Sequence, residues 1–460
     1  MKKMKNIALF MVTLILLTAC NANTTVQKDT GKPSKTEDEK KTDIQAMPLS
    51  HKEIVVEREL IDYTNPENTY VIYDKWSNGE KTLGETSGYE GFYQDYWKFS
   101  SRIFEKLVKD DNIIFSPLSA YIPLSELSYA MEDSAPKNEL IELLRKNAAN
   151  EYWTKKLMDQ FQVSGYLMGS SIWIADNCTP DIGFLKENLT SDIYRIDFAA
   201  PGAEEKQIAW INKWTKGFLS DQIQKDDLGN QSPAGTELAC RLIGTAYVKD
   251  NWEKEFFGEP KEDTFYRADG TEEKVPFLHG YIHNTVYLKK DGYEMAKIPM
   301  ANGEMIIVLP EKDSSVEKLL QKDILMEVAN EKNWENANVE VKMPDFTQSS
   351  RLDLLEILNE LGYQEITTLQ EGYSKLVGKH PDGRDIKCMV SKVLQQSKIE
   401  VKKEGIQAAA YTQVDVVKES AMIIEEVKEI KMEVNRPYLY ILTDRSNLPS
   451  FIGINQAFTK

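Results

Sequence analysis

The sequence predicts an α+β fold with long antiparallel strands. Two hydrophobic periods carry that expectation, together with short apolar runs that end at turn residues. Phe92, Tyr96, Phe99, Ile103 and Leu107 recur at steps of three and four, the spacing of one helix face. Val339-Glu-Val341-Lys-Met343 alternates as a half-buried strand does, and Met305-Ile-Ile-Val-Leu309 before Pro310 reads as an apolar strand.

Taken in order, residues 1–19 carry Lys2, Lys3 and Lys5, then an apolar run from Ile7 to Leu17 and small residues, the layout of a signal peptide. The run is shorter than the roughly 20 residues that span a bilayer. Leu17-Thr18-Ala19-Cys20 resembles the bacterial lipoprotein box, which implies a lipidated Cys20 and an exported protein held on a bacterial membrane at the cell surface. Residues 20–46 are rich in Lys, Thr, Asp and Glu and nearly free of apolar side chains, so burial cannot offset the entropy of ordering them. They read as a tether with a root-mean-square span of roughly 25–30 Å. Residues 47–88 form an N-terminal extension with strand-like fragments, Val55-Val56 and Tyr70-Val71-Ile72-Tyr73, and no assignable fold.

No repeat and no Pro- or Gly-rich break divides residues 89–460, which read as one domain. Ile208, Ile211, Trp214 and Phe218 mark a helix. Ser350 followed by Asp353 gives a helix-start pattern ahead of Leu354, Ile357, Leu358 and Leu361, with Gly362 as the stop. Val275 to Leu288, VPFLHGYIHNTVYL, reads as strand–turn–strand.

Composition removes several classes of function. The 460 residues are 41% hydrophobic, enough for a substantial core, and a net charge of −17 argues against a nucleic-acid partner. Four cysteines exclude a disulfide-built scaffold, and Cys178, Cys240 and Cys388 read as buried free thiols. His279 and His283 fall on extended chain, about 13 Å apart, rather than on one helix face. His51 and His380 lie in polar contexts without a visible serine or cysteine partner. No HExxH, Walker A, GxSxG, GxGxxG or CxxC pattern occurs, so no metal, cofactor or catalytic residue is assigned and the chain is read as no enzyme.

A run of segments resembles the serpin family in the family's own order. Asn112-Ile-Ile-Phe-Ser116-Pro117-Leu-Ser119 resembles NxxFSPxS; Ser116 also suits a helix cap, with Pro117 in the first position. Ile211-Asn-Lys-Trp214 follows, then Leu242 to Phe256 with Trp252, and Asp269-Gly270 with Val275-Pro276-Phe277. Met305 to Pro310, Val341-Lys-Met-Pro344-Asp-Phe346, Leu361-Gly362, Pro437-Tyr438-Leu-Tyr440 and Phe451-Ile-Gly453 complete the series. The resemblance implies a serpin-like fold with large mixed or antiparallel sheets, about eight or nine helices and an exposed reactive-centre loop. It also implies a monomeric protein whose partner is a serine protease, or a cysteine protease, trapped as a covalent acyl complex. In that family the protease cuts the loop, which then enters the central sheet as an extra strand and drags the acylated protease along.

By the same resemblance, Glu404, Gly405, Ile406, Ala408, Ala409 and Ala410 form the loop hinge. Read as a strand, one face carries Ile406, Ala408, Ala410, Thr412, Val414 and Val416, the small and apolar face that entry into a half-buried sheet requires. Counting seventeen residues from Lys403 by the family's spacing places the cut bond at Glu419-Ser420; a register one shorter uses Lys418-Glu419. Ser116, Ser119, Gly244, Gln395 and Trp252 fall where the sheet opens. Gln395 and Gly244 stand where the family has a histidine and an asparagine, so the Gln395 amide is expected to reach Ser116 or Ser119, with Gly244 leaving it room. A non-inhibitory serpin-like surface binding protein is the alternative.

Overall fold

In a computed structural model of the chain, residues 54–58, 87–109, 111–145, 147, 151–163, 166–254, 256–406 and 427–458 are described. The signal peptide, Cys20, the tether, most of the extension, Ala408 to Ala410 and Lys418, Glu419 and Ser420 lie outside these residues. The chain divides into units Met1–Ala46 and Met47–Lys460, and every described residue lies in the second.

Helix Tyr89–Leu107 follows its period: Phe92, Tyr96, Phe99, Ile103 and Leu107 are all buried, and Phe92 stacks on Trp153 at 4.8 Å. Helix Ala203–Thr215 buries Trp210, Ile211 and Trp214 but stops before Phe218, because Lys216 takes a left-handed conformation that closes it. Helix Leu354–Glu360 is capped by Asp353, whose carboxylate accepts from the Leu355 N–H at 3.0 Å. Ser350 is not part of that cap: it lies in strand Phe346–Asp353 and its hydroxyl accepts from the Ile114 N–H at 2.9 Å. Eleven helices occur among the described residues, three of them five residues or shorter, beside the eight or nine expected.

The strands form three groups. A nine-stranded sheet is built around Tyr438–Asp444, Pro449–Asn455 and Gly303–Pro310, whose apolar runs are buried on both faces. It includes Glu272–Lys290, a continuous strand of 19 residues where a turn was expected; the irregularity is taken up by a register shift and by Asn284, with φ 52°. A four-stranded group runs Ile54–Val56, Asp192–Ile196, Tyr166–Ala175, Cys240–Val248. A second runs Phe346–Asp353, Leu394–Lys402, Gly405–Ile406, Asp250–Asn251. Since Cys240–Val248 leads straight into Asp250–Asn251, the chain ties these two groups together at one end.

The described part of the extension adds the edge strand Ile54–Val56 to Asp192–Ile196. The Arg58 guanidinium donates to the Ser191 carbonyl at 3.1 Å and the Lys186 carbonyl at 2.7 Å, while its N–H donates to Asp192 at 2.6 Å. Glu57 pairs with Lys213 of helix Ala203–Thr215 at 2.7 Å.

Candidate functional site

The site is the seam between the two four-stranded groups. Strand Leu394–Lys402 reverses at Lys403-Glu404 and returns as Gly405–Ile406. This two-residue strand is antiparallel to both neighbours, with Gly405 opposite Lys402 and Asn251, and Ile406 opposite Val401 and Asp250. It therefore forms the first rung of a strand between the two groups. Glycine at 405 follows from that closeness: a Cβ there would lie 2.3 Å from the Asp250 carbonyl oxygen and 2.6 Å from the Asn251 Cα.

Trp252 holds the turn above this rung. Its backbone N–H donates to the Glu404 carbonyl at 3.2 Å, its indole N–H donates to the Lys402 carbonyl at 2.8 Å, and its ring meets Phe256 edge-on at 5.5 Å. The Phe256 N–H donates to the Lys403 carbonyl at 3.0 Å. Ile406 is buried between these neighbours.

Below the rung, Cys240–Val248 and Leu394–Lys402 share no ladder. A cavity of about 1170 Å³ runs between them and on against residues 231–239 and 383–393, lined in the gap by Leu242, Gly244 and Ala246 on one side and Leu394 to Ser397 on the other. Leu242 and Ile243 are left only half-buried in what would otherwise be a sheet interior. Two strands flanking one vacant strand position lie about 10 Å apart.

Beneath the opening, Ser116 caps helix Pro117–Ala130, its hydroxyl accepting from the Ser119 N–H at 3.3 Å and donating to the Ser450 carbonyl at 3.0 Å. The Gln395 amide engages both serines. Its Oε1 accepts from the Ser116 N–H at 2.9 Å and the Ser397 hydroxyl at 3.4 Å. Its Nε2 donates to the Ser116 carbonyl at 2.8 Å and the Ser119 hydroxyl at 3.1 Å. All the hydrogen-bonding capacity of the amide is thus used, and it satisfies both backbone groups of one buried residue. Gly244 serves a different purpose from the one expected. A Cβ there would lie 2.5 Å from the Ser119 carbonyl oxygen and 2.6 Å from Pro123 Cγ, so its bareness admits the helix rather than the amide.

Ser450, Ser397 and Asp250 join this site without having been singled out in the sequence. Asp250 was visible in principle, since it shares the period-two face of Gly244, Ala246 and Val248. Burial raises its carboxyl to about 7, against the bonds from Asn302 that favour the charged form. Cys178 is buried and free, and Cys240 and Cys388 are half-buried and free; desolvation pushes the Cys240 and Cys388 thiols up to about 12 and about 11. Among the described residues no group of His, Cys, Asp and Glu could hold a metal ion.

Comparison with known proteins agrees with this geometry. The family profile Serpin (serine protease inhibitor) matches residues 94–456. Mouse (Mus musculus) neuroserpin is 26% identical over 381 residues, covering 75% of this chain and 86% of neuroserpin. Serpin-Z7 of Hordeum vulgare is 27% identical over 378 residues, with coverage of 74% and 89%. Among solved structures, the thermophilic serpin tengpin in its native state superposes with a TM-score of 0.65 at 22% identity, covering 80% of this chain and 95% of tengpin. Serpin48 of the insect Tenebrio molitor gives 0.67 at 19%, with coverage of 80% and 99%. Serpins are typically protease inhibitors rather than enzymes. From its profile match over most of its length and its fold, the chain belongs to the serpin family.

Proposed function

We propose that this serpin is a suicide-type inhibitor that traps a serine protease by reactive-loop cleavage and insertion into the opening between Cys240–Val248 and Leu394–Lys402. The observation that carries the reading is the Gly405–Ile406 rung, already paired on both sides at the head of that opening. Continuing its two registers brings Thr412 opposite both Gly244 and Gln395, and Val416 opposite Cys240. Gly244 and Gln395 both lie against Ser119, so the two flanking positions do stand level, which supports a single strand between them. Ile406 being buried, Ala408, Ala410, Thr412, Val414 and Val416 fall on the same buried face by alternation.

On this reading the protease attacks the loop at Glu419-Ser420, or one residue earlier at Lys418-Glu419, and remains acylated on the upstream residue. Insertion then carries Glu419 thirteen residues beyond Ile406, about 45 Å at the rise of an extended strand, past the foot of strand Cys240–Val248. The chemistry is the protease's own, and this chain supplies the bait and the sheet. Cys20 is proposed as a lipid anchor on a bacterial membrane, with residues 20–46 as the tether; labelling by a palmitate analogue that Cys20→Ala abolishes tests it.

The reading predicts a denaturant-stable complex with a trypsin-like or glutamyl-specific protease, and release of a C-terminal fragment beginning at Ser420 or Glu419. Cleavage outside Lys418 to Met422 would reject this register. Cleavage with no complex by any member of a trypsin-, elastase-, subtilisin- and glutamyl-specific panel would favour the non-inhibitory alternative.

A further inference from the structure

We infer that Asp250 is a proton-sensitive latch on the loop hinge: protonated, it keeps Gly405–Ile406 seated in the sheet, and on losing its proton it releases them. Asp250 is the residue directly opposite Ile406, and cross-strand partners share a face of the sheet, so their side chains are neighbours on that face. Both are buried, Asp250 to 4% exposure and Ile406 to 1%.

The groups that face this carboxyl are almost all neutral. Asn302 donates from its N–H at 2.9 Å and its side-chain amide at 3.4 Å. Arg445 is the cation on that side, and its guanidinium donates to the Ala301 carbonyl at 2.7 Å and to Asn302 Oδ1 at 3.2 Å. Across the sheet stands the Tyr166 phenol, donor or acceptor to Ser450 at 2.9 Å, with the buried Asp444 beyond it. On the hinge turn, Lys402 pairs with Asp345 at 2.6 Å and Lys403 pairs with Glu259. Lys249, between strand Cys240–Val248 and Asp250, is held below its ordinary range by desolvation. A carboxylate formed here has amide donors and a second-neighbour guanidinium, and departure of the Ile406 rung would open the side that faces the hinge to water.

Linkage fixes the sign. With the hinge seated, burial holds the Asp250 carboxyl at about 7; with the hinge out and the group hydrated, it returns towards the ordinary value near 4. Hinge release therefore sheds a proton in the interval between those values. Its equilibrium rises up to about tenfold per pH unit from roughly pH 4 to 7 and is level above that. A mildly acidic medium keeps the hinge seated, and a neutral one frees it.

The test is hydrogen exchange of the Gly405 and Ile406 amides in the full chain, expressed as protection relative to the intrinsic rate at each pH. Wild type should lose up to about a hundredfold in protection between pH 5 and 7 and no more between pH 7 and 9. Asp250→Asn should show the same protection at every pH, whereas Asp444→Asn, which alters the other buried carboxyl nearby, should retain the wild-type profile. Protection in wild type that does not change with pH overturns the latch, as does a profile that persists in Asp250→Asn or disappears in Asp444→Asn. The inference shares the hinge with the proposed inhibition, but its readout needs no protease, so either can fail while the other stands.

Discussion

Replacing Gln395 by leucine isolates the polar join beneath the opening. Leucine approximates the glutamine side chain in volume, so the change removes hydrogen bonds with little cavity. It leaves the Ser116 N–H without its 2.9 Å acceptor in a residue that is 1% exposed, while the Ser116 carbonyl loses its 2.8 Å donor and keeps the Ser119 hydroxyl at 3.4 Å. Stranding this buried N–H costs about 1–3 kcal/mol. An unfolding entropy of about 2.1 cal/mol/K per residue over roughly 370 residues converts this to a fall in Tm of about 1–4 °C. Thermal unfolding followed by circular dichroism, with a urea titration beside it, reads both quantities. A loss of less than about 1 kcal/mol would mean that the serines find other partners and that the amide does not organise the site.

Other consequences follow from the same geometry. Gly244→Ala pushes a methyl group against the Ser119 carbonyl and Pro123, so overpacking should cost about 1–3 kcal/mol in the same melts; an unchanged melt would show that the helix yields freely. Arg58→Ala removes the two guanidinium bonds that fix the extension and should accelerate amide exchange at Ile54–Val56 with little change in Tm; unaltered exchange there would place the hold elsewhere. Asp444 is fully buried with its carboxyl raised to about 7, chiefly by desolvation. Its contribution to stability is complete below the unfolded value of about 4 and lost as pH rises through about 7. Asp444→Asn should therefore flatten part of the decline in unfolding free energy between pH 5 and 8, and an identical slope in the variant would contradict that assignment.

What could be read from the sequence was what depends on near neighbours in the chain. The three- and four-residue steps of Phe92 to Leu107 specify a buried helix face, and the run from Met305 to Leu309 specifies a core strand. The N-cap was blurred because Ser350 and Asp353 both have capping side chains; the strand register, a tertiary property, assigns Ser350 to Ile114 instead. The long strand Glu272–Lys290 was misread as two because Asn284 carries a turn-like backbone angle inside a continuous ladder. Gln395 could be matched to Ser116 and Ser119 only through the family resemblance, and the tightness at Gly244 depends on how closely Pro123 approaches, which no local pattern encodes. The opening itself lies between strands about 150 positions apart in sequence, and hydrophobic period does not report whether two such strands pair directly or hold a place for a third.

The most direct test of the proposed inhibition is the unfolding transition of the protein before and after its loop is cut near Glu419. If the loop fills the opening as an additional strand, the cut protein should melt at a markedly higher temperature than the intact one and resist higher urea, with residues 407–416 becoming protected from exchange. A cut protein that melts at the same temperature or lower, with those residues still exchanging freely, would contradict insertion and with it the trapping mechanism.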